Sequence, residues 1–406
     1  MKMDGLEDMG SMAIHSTGTD NPEHAHLVPI FATSTFTFDS AEQGMNRFAD
    51  KEAGYIYSRF GNPTTNAAAA AVAALEAFGI STPSGAPLQL KALLHASGQA
   101  AMATAFLANL SAGEAVLSHY SLYGGTHEFL FGFLQRFGIN ALIGDLRDAN
   151  VVEDIISKNK HIKLIHIETP ANPSMQCIDL AMICSLAKKY HLKVTVDNTF
   201  ATPYLQQPFK FGVDFVFHST TKFLNGHGTS IGGVLIGRDI DFMNGQVSKT
   251  AKLLGATSSP FDAFLLMQGI KTLQLRMDVH CDNALKVAEF LSSHAAVAKV
   301  NYNGLPSHPD YQVSLKQMRK PGAVQSFELK NGLEGGKKFI DQLKMCVRAV
   351  SVGTVDTLIS HPASMSHFGM SQEDRNKSGI ADGLIRMSVG LENITDILND
   401  LEQALQ

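Results

Sequence analysis

No block of like charges interrupts the 406-residue chain, and 38 acidic against 33 basic residues leave a net charge of −5. That balance argues against nucleic acid and against an anionic membrane surface, leaving a small molecule as the default partner. Cysteine is scarce: Cys177, Cys184, Cys281 and Cys346 stand far apart with no C-x-x-C pair, which suggests neither a disulfide framework nor a zinc site. Long apolar runs are missing as well. The longest alanine-rich stretch, Ala67 to Leu75, falls far short of the ~20 apolar residues that span a bilayer. The opening MKMDGLEDMG is polar and acidic, whereas a secretory leader is basic and then apolar. Together these absences predict a cytoplasmic protein with reduced, buried thiols.

What the chain does contain is an ordinary globular composition, 45% hydrophobic and 17% charged, with length enough for one large α/β domain and a smaller one. Neither an internal repeat nor a low-complexity tract is evident. Residues 1 to about 60 show little helical periodicity and include Pro29, Gly54 and Tyr-Ile-Tyr at 55–57. They predict an extended arm with one short helix around Ser40 to Phe48. Such an arm wraps its own core or a neighbouring copy, a first hint of oligomerisation. Asn62-Pro63 then favours a turn and starts an alanine-rich helix that ends near Gly79.

From about 90 to 240, short apolar runs alternate with helical patterns: LLH (93–95), AVLS (115–118), ALIG (141–144), KLIHIE (163–168), LKVTVD (192–197), DFVFHS (214–219) and GVLIG (233–237). The alternation predicts a mostly parallel seven-stranded sheet covered on both faces. Beyond Gly255 the pattern changes. A helical stretch from about Phe261 to Leu291, then VAKVNY, QSFELK and an apolar segment near Val347 to Ser351, predicts a smaller C-terminal α+β domain joined by a long helix. The expected division is an arm over 1–63, a large domain over 64–260 and a small domain over 261–406.

In sheets of this kind ligands lie beyond the carboxyl ends of the strands. The segment Asp214 to Gly233, DFVFHSTTKFLNGHGTSIGG, places Lys222 at such an end, after Ser219-Thr220-Thr221 and before glycines 226, 228, 232 and 233. Flanked by hydroxyls that can bind phosphate oxygens, Lys222 suits a Schiff base, because a partly desolvated amine has a lowered pKa and becomes nucleophilic. Taken alone, the position also suits a surface lysine after an edge strand. Ser97-Gly98-Gln99 enters a helix whose free amides can hold a phosphate, or is simply its N-cap. Tyr123 can lie over a planar ligand or merely pack.

Glu168-Thr169-Pro170-Ala171-Asn172-Pro173 is a rigid turn with polar tips. Asp197 closes an apolar strand, where an unpaired carboxylate is costly. A protonated pyridine nitrogen would satisfy it, as would a helix start or a lysine. Arg386 is likewise a cation inside the apolar segment Leu384 to Val389, and needs either a ligand anion or a structural ion pair. A dinucleotide fold is disfavoured, because Gly226-x-Gly228-x-x-x-Gly232 has the wrong spacing and follows the sheet pattern. Gly332-x-x-x-Gly336-Lys337 is likewise one residue short of a P-loop and lacks its Ser/Thr.

Taken in order, these segments resemble the pyridoxal-phosphate enzymes of cysteine and methionine metabolism, the trans-sulfuration family of fold type I. The likeness runs from Tyr57-Ser58-Arg59 through SGQAAM, SLYGGT, ETPANP, VDNTFATPYLQQP, HSTTKFLNGHG and SHPASMSH to IRMSVGLE at 385–392. It implies pyridoxal 5'-phosphate as cofactor, with Lys222 as its Schiff-base lysine and as the base that moves protons between Cα and Cβ. It implies that Asp197 pairs with the pyridinium, and that Tyr123 stacks on the ring and helps protonate the leaving group. Gly98, Gln99, Ser219 and Thr221 would bind the phosphate, joined by Tyr57 and Arg59 from the neighbouring subunit of a dimer within a tetramer. Asn172 would approach the ring hydroxyl, while Ser351 and Arg386 would hold the substrate carboxylate.

Within the family the likeness is closest to the methionine γ-lyases, through FDSAEQG, GYIY and SVGLEN. That implies γ-elimination from a sulfur amino acid, giving 2-oxobutanoate, ammonia and a thiol. Two departures count against it: Gly125 stands where those lyases usually carry a cysteine, and Ala251-Lys252 stands where they carry Lys-Asp. Gly125 and HGTSIGG are similar instead to O-acetylhomoserine sulfhydrylases. Replacement at the γ carbon, by an O-acetyl- or O-succinylhomoserine sulfhydrylase or a cystathionine γ-synthase, therefore stays open. Val350 occupies the place where cystathionine γ-lyases tend to carry a glutamate for a distal amino group, and an apolar residue there favours a short uncharged tail. An aminotransferase on the same fold, also using Lys222 and Asp197, is a further alternative.

Overall fold

In the computed structural model, which describes residues 5–18, 21, 23–366, 368, 372–373 and 379–406, the arm departs from the expected single short helix. His367 of the SHPASMSH segment and the first four residues fall outside the described residues. Helix α2 (Ala41–Phe48) lies where expected, with the Ser40 side chain accepting from the Gln43 amide at 3.1 Å. An additional helix, α1 (Met9–His15), precedes it, capped by Asp8. Two apolar residues one turn apart explain it: Met9 and Ala13 join the main core, and tertiary burial stabilises a seven-residue helix too short to stand alone or to show a period. The arm's beginning therefore packs on its own chain.

Helix α3 (Pro63–Ala77) starts as predicted, with Pro63 in its first turn and the Asn62 side chain accepting from the Thr64 amide at 2.9 Å. The seven apolar runs form β1 (Lys91–His95), β2 (Ala115–Ser118), β3 (Asn140–Ile143), β4 (Ile162–Glu168), β5 (Lys193–Asp197), β6 (Phe215–Ser219) and β7 (Gly233–Gly237). They make one sheet in the order β1-β7-β6-β5-β4-β2-β3. Pairings from β3 through β6 are parallel, while β7 runs antiparallel to β1 and β6. Alternate residues serve opposite faces: Ile165, Ile167 and Val216 pack in the core that holds α3, and Leu164, Phe215 and Phe217 pack around Phe106 of α4 (Gly98–Asn109). Each such side chain contributes roughly 1.5–3 kcal/mol on burial.

The expected long helix from Phe261 to Leu291 is two helices, Pro260–Ile270 and Leu273–Ser293. The break lets the first pack against the loop after Lys222. A Cβ on Gly269 would lie 2.1 Å from the Asn225 carbonyl oxygen, and the buried Arg276 guanidinium donates to the carbonyls of Phe223 at 2.7 Å and Gly269 at 2.6 Å. Backbone acceptors thus satisfy a buried cation and pin the loop. A second sheet follows, ordered β10-β11-β12-β9-β8, from β8 (Val297–Asn301), β9 (Val324–Leu329), β10 (Val347–Arg348), β11 (Leu358–Ser360) and β12 (Leu384–Ser388). The apolar segment Val347 to Ser351 is strand only over its first two residues. No helix among the described residues is long and apolar enough to cross a membrane.

Candidate active site

The carboxyl ends of β1, β4, β5 and β6 and the edge of the second sheet enclose a cleft of about 280 Å³. Gly98 and Gln99 enter it from the start of α4, and Tyr123 from the segment after β2. Asn172 comes from the turn after β4, Asp197 from the end of β5, and Ser219, Thr221 and Lys222 from β6 and its exit. Arg386 closes it from β12 and Val350 from the segment after β10.

At the helix start, Ser97 caps the Ala100 amide at 3.1 Å, which leaves the earlier amides of the first turn available to an anion. The N-cap is thus present, and it is compatible with a phosphate at the same turn. A Cβ on Gly98 would lie 2.8 Å from that of Ser219, so glycine is what allows the helix to start this close to β6. The Thr221 hydroxyl is engaged with the backbone of Gly232, which it accepts from at 3.0 Å.

Lys222 is half-buried, and its Nζ donates to the Ser351 hydroxyl at 3.0 Å. Burial, and then the Arg386 charge, lower its pKa. This is the desolvated amine that the sequence allowed, and the surface-lysine alternative is set aside. Arg386, on β12, donates to the Val350 carbonyl at 2.9 Å and to the Ser351 carbonyl at 3.3 Å. Burial lowers its pKa to about 10. Among the described residues no carboxylate pairs with it, which leaves its charge to a ligand.

Asp197 is held at the base of the cleft, one oxygen accepting from the Thr199 amide at 3.0 Å. Burial raises its pKa, and among the described residues no lysine bridges it. On the opposite face of the sheet, His218 donates to Glu76 of α3 at 2.7 Å, with both side chains fully buried. The Asn198 amide donates to the same Glu76 oxygen at 3.0 Å, so α3 anchors the ends of β5 and β6 from below.

Tyr57 and Arg59 do not reach this cleft on the chain that carries them. Tyr57 is exposed, and Arg59 donates to the Lys252 carbonyl at 2.9 Å with its guanidinium over the Phe60 ring. Conversely, Glu168, Thr199, Phe200, Phe217, Ile231 and Val352 line the cleft without having been singled out for it. Glu168 carried a usable signal, since it ends an apolar strand as Asp197 does. Burial, then the Asp197 charge, push its carboxyl up to about 8. The others are apolar or small residues whose place depends on the sheet's twist and on loop closure.

These groups suit pyridoxal phosphate: an anion-binding helix start, a buried carboxylate awaiting a cation, an amine of lowered pKa, and the buried Asn172 Oδ1 that lacks a hydrogen-bond partner. Similarity to known proteins agrees. The chain is 43% identical over 408 residues to an L-methionine gamma-lyase of Porphyromonas gingivalis, covering 100% of this chain and 99% of that protein. It is 36% identical over 395 residues to an O-succinylhomoserine sulfhydrylase of Pseudomonas aeruginosa, covering 97% and 94%. A crystal structure of cystathionine gamma synthase from Xanthomonas oryzae pv. oryzae, in complex with aminoacrylate and cysteine, superposes with a TM-score of 0.89 at 35% identity, covering 98% of this chain and 97% of that one. The family described as Cys/Met metabolism PLP-dependent enzyme matches residues 10–406. Its lysine-bearing strand exit, its unneutralised arginine and its full-length match thus have one explanation: the chain is a pyridoxal-phosphate enzyme of the Cys/Met metabolism family.

Proposed function

We propose that this chain catalyses γ-elimination from a sulfur amino acid with a short uncharged tail, methionine fitting best, and releases 2-oxobutanoate, ammonia and a thiol at the expense of one water. The observation that carries this reading is a desolvated amine, Lys222, sharing one cleft with a guanidinium that no carboxylate of the described residues neutralises. Such a cation suits the α-carboxylate of an amino acid. An amine of lowered pKa beside it can take and return a proton. Phe200, Ile231, Val350 and Val352 line the same cleft, and these apolar walls match a thioether while offering nothing to a distal amino group. The likeness to the Porphyromonas gingivalis lyase supports the same choice.

Bound pyridoxal phosphate supplies the electron sink for charge left at Cα. In this reading Asp197 holds the proton on the ring nitrogen, and Asn172 meets the ring hydroxyl. The amides of Gly98 and Gln99, with the hydroxyls of Ser219 and Thr221, take the phosphate. Arg386 and Ser351 orient the substrate carboxylate. Lys222 would take the Cα proton and then one from Cβ, and Tyr123 would pass a proton to the sulfur as it leaves the γ carbon. Tyr57 and Arg59, displayed on the surface, serve the phosphate of a neighbouring copy in a dimer that pairs into a tetramer. The division into an arm (1–63), a large domain (64–260) and a small domain (261–406) follows the same plan, and the protein works in the cytoplasm.

One observation favours γ-replacement instead. A Cβ at Gly125 would lie 2.7 Å from Tyr123 Cε1, so glycine lets the ring lie against the backbone at 125, a placement that the cysteine usual in the lyases would not allow. Methionine, cystathionine and O-acetylhomoserine, each supplied with and without sulfide, separate the readings. Oxobutanoate from methionine alone supports the lyase. Product only from the acylated homoserine with sulfide overturns it in favour of a sulfhydrylase, and thiol release without any 2-oxo acid acceptor excludes an aminotransferase.

A further inference from the structure

Glu168 ends β4 directly beside Asp197 of β5, and it is 6% exposed. Its Oε2 accepts the Tyr123 amide at 2.7 Å, and its Oε1 accepts the Asn172 amide at 3.1 Å. One carboxylate therefore ties down two segments, the one after β2 and the one after β4, that carry facing groups of the cleft. We propose that Glu168 is a positioning residue of the reaction, a two-point clamp that sets where the Tyr123 ring and the Asn172 amide meet the bound cofactor. This rests on reading the cleft as the pyridoxal phosphate site.

Three observations support the clamp. First, Asn172 Oδ1 has no hydrogen-bond partner among the described residues, so its backbone, rather than that oxygen, anchors the residue. Second, Tyr123 is 53% exposed, so packing by itself fixes its position only in part. Third, two buried carboxylates side by side are electrostatically unfavourable, and a glutamine would relieve the repulsion without leaving a gap. What glutamine cannot do is accept from both amides, because its NH2 end would face an N–H.

Pyridoxal-phosphate holoenzymes of wild type, Glu168→Gln, Tyr123→Phe and the double variant test this. Glu168→Gln is expected to lower kcat roughly 10–100-fold, as small misplacements of reacting groups do, with KM within about threefold of wild type. It should also change the visible circular dichroism of the bound cofactor, which reports the asymmetry of the ring's surroundings. In the Tyr123→Phe background the same substitution should cost clearly less, because groups acting as one unit are not additive. A kcat within about twofold of wild type with unaltered dichroism, or penalties that multiply in full, overturns the clamp. Should Glu168→Gln fail to fold, Glu168→Asp, which keeps the carboxyl group but retracts it by one carbon, runs the same cycle under the same two outcomes. The dichroism is read without substrate, so failure of the γ-elimination reading leaves this test intact, whereas wild type that binds no cofactor overturns the site reading and the clamp with it.

Discussion

Lys222 Nζ lies 3.0 Å from the Ser351 hydroxyl, a contact that joins the exit of β6 to the segment after β10. The Val350 and Ser351 carbonyls in turn accept from Arg386. Amine, hydroxyl and guanidinium thus sit where the two sheets meet, and movement of one sheet against the other would disturb all three.

In the function proposed above, replacing Lys222 by Ala removes the nucleophile and the proton carrier together. Turnover is expected to fall by at least ~10³-fold. Borohydride reduction of the wild-type holoenzyme followed by peptide mass mapping should find the pyridoxyl group on Lys222. A label on another lysine would defeat the assignment.

If Arg386 holds the substrate carboxylate as proposed, Arg386→Leu removes a charge-assisted bond of about 1.5–3 kcal/mol, which predicts a loss of roughly 10–150-fold in kcat/KM. It also removes a positive charge that disfavours protonation of Lys222. The amine pKa then rises, and the limb of the pH profile of kcat, which reports the amine once substrate has displaced it from the cofactor, moves to more alkaline pH. An unmoved limb would mean that Arg386 does not act on the amine.

Gly125→Ala places a Cβ against the Tyr123 ring, 2.7 Å from Cε1 before any adjustment. The ring is half exposed and can swing away, so melting temperature should change little. The ratio of methionine elimination to sulfide-dependent replacement should change instead. An unchanged ratio, with Gly125→Cys as the second probe, would remove residue 125 from the specificity argument.

His95 is fully buried, with Nδ1 against the Leu93 carbonyl at 2.9 Å and Nε2 without a partner. Burial lowers its pKa from 6.5 to about 4. The folded chain keeps the ring neutral while the unfolded chain takes up a proton, so its contribution is present above the unfolded value and is lost as pH falls toward the folded one. At about pH 5 that loss amounts to about 2 kcal/mol. In urea titrations the stability of wild type relative to His95→Gln should therefore fall by about that much between roughly pH 7.5 and 5. A difference independent of pH would show that His95 is not held neutral.

The run of strands, the helix that starts at Pro63, and the candidacy of Lys222, Asp197 and Arg386 were all legible in the chain. Strand periodicity, caps and a charge at the end of an apolar run are local signals. Helix α1 was not legible, because two buried residues, Met9 and Ala13, leave no period to detect. Nor was the break before Leu273, which exists so that Gly269 can lie against the Asn225 backbone, a segment distant in sequence.

By itself, then, the sequence determined the sheet, the candidate lysine and the family, since each is written in consecutive residues. Only the tertiary structure decided that Glu168 grips Tyr123 and Asn172, that Ser351 meets Lys222, and that Tyr57 and Arg59 stand away from their own chain's cleft. Those relationships depend on the distance between segments far apart in the chain, which strand register and loop closure set and no local pattern encodes.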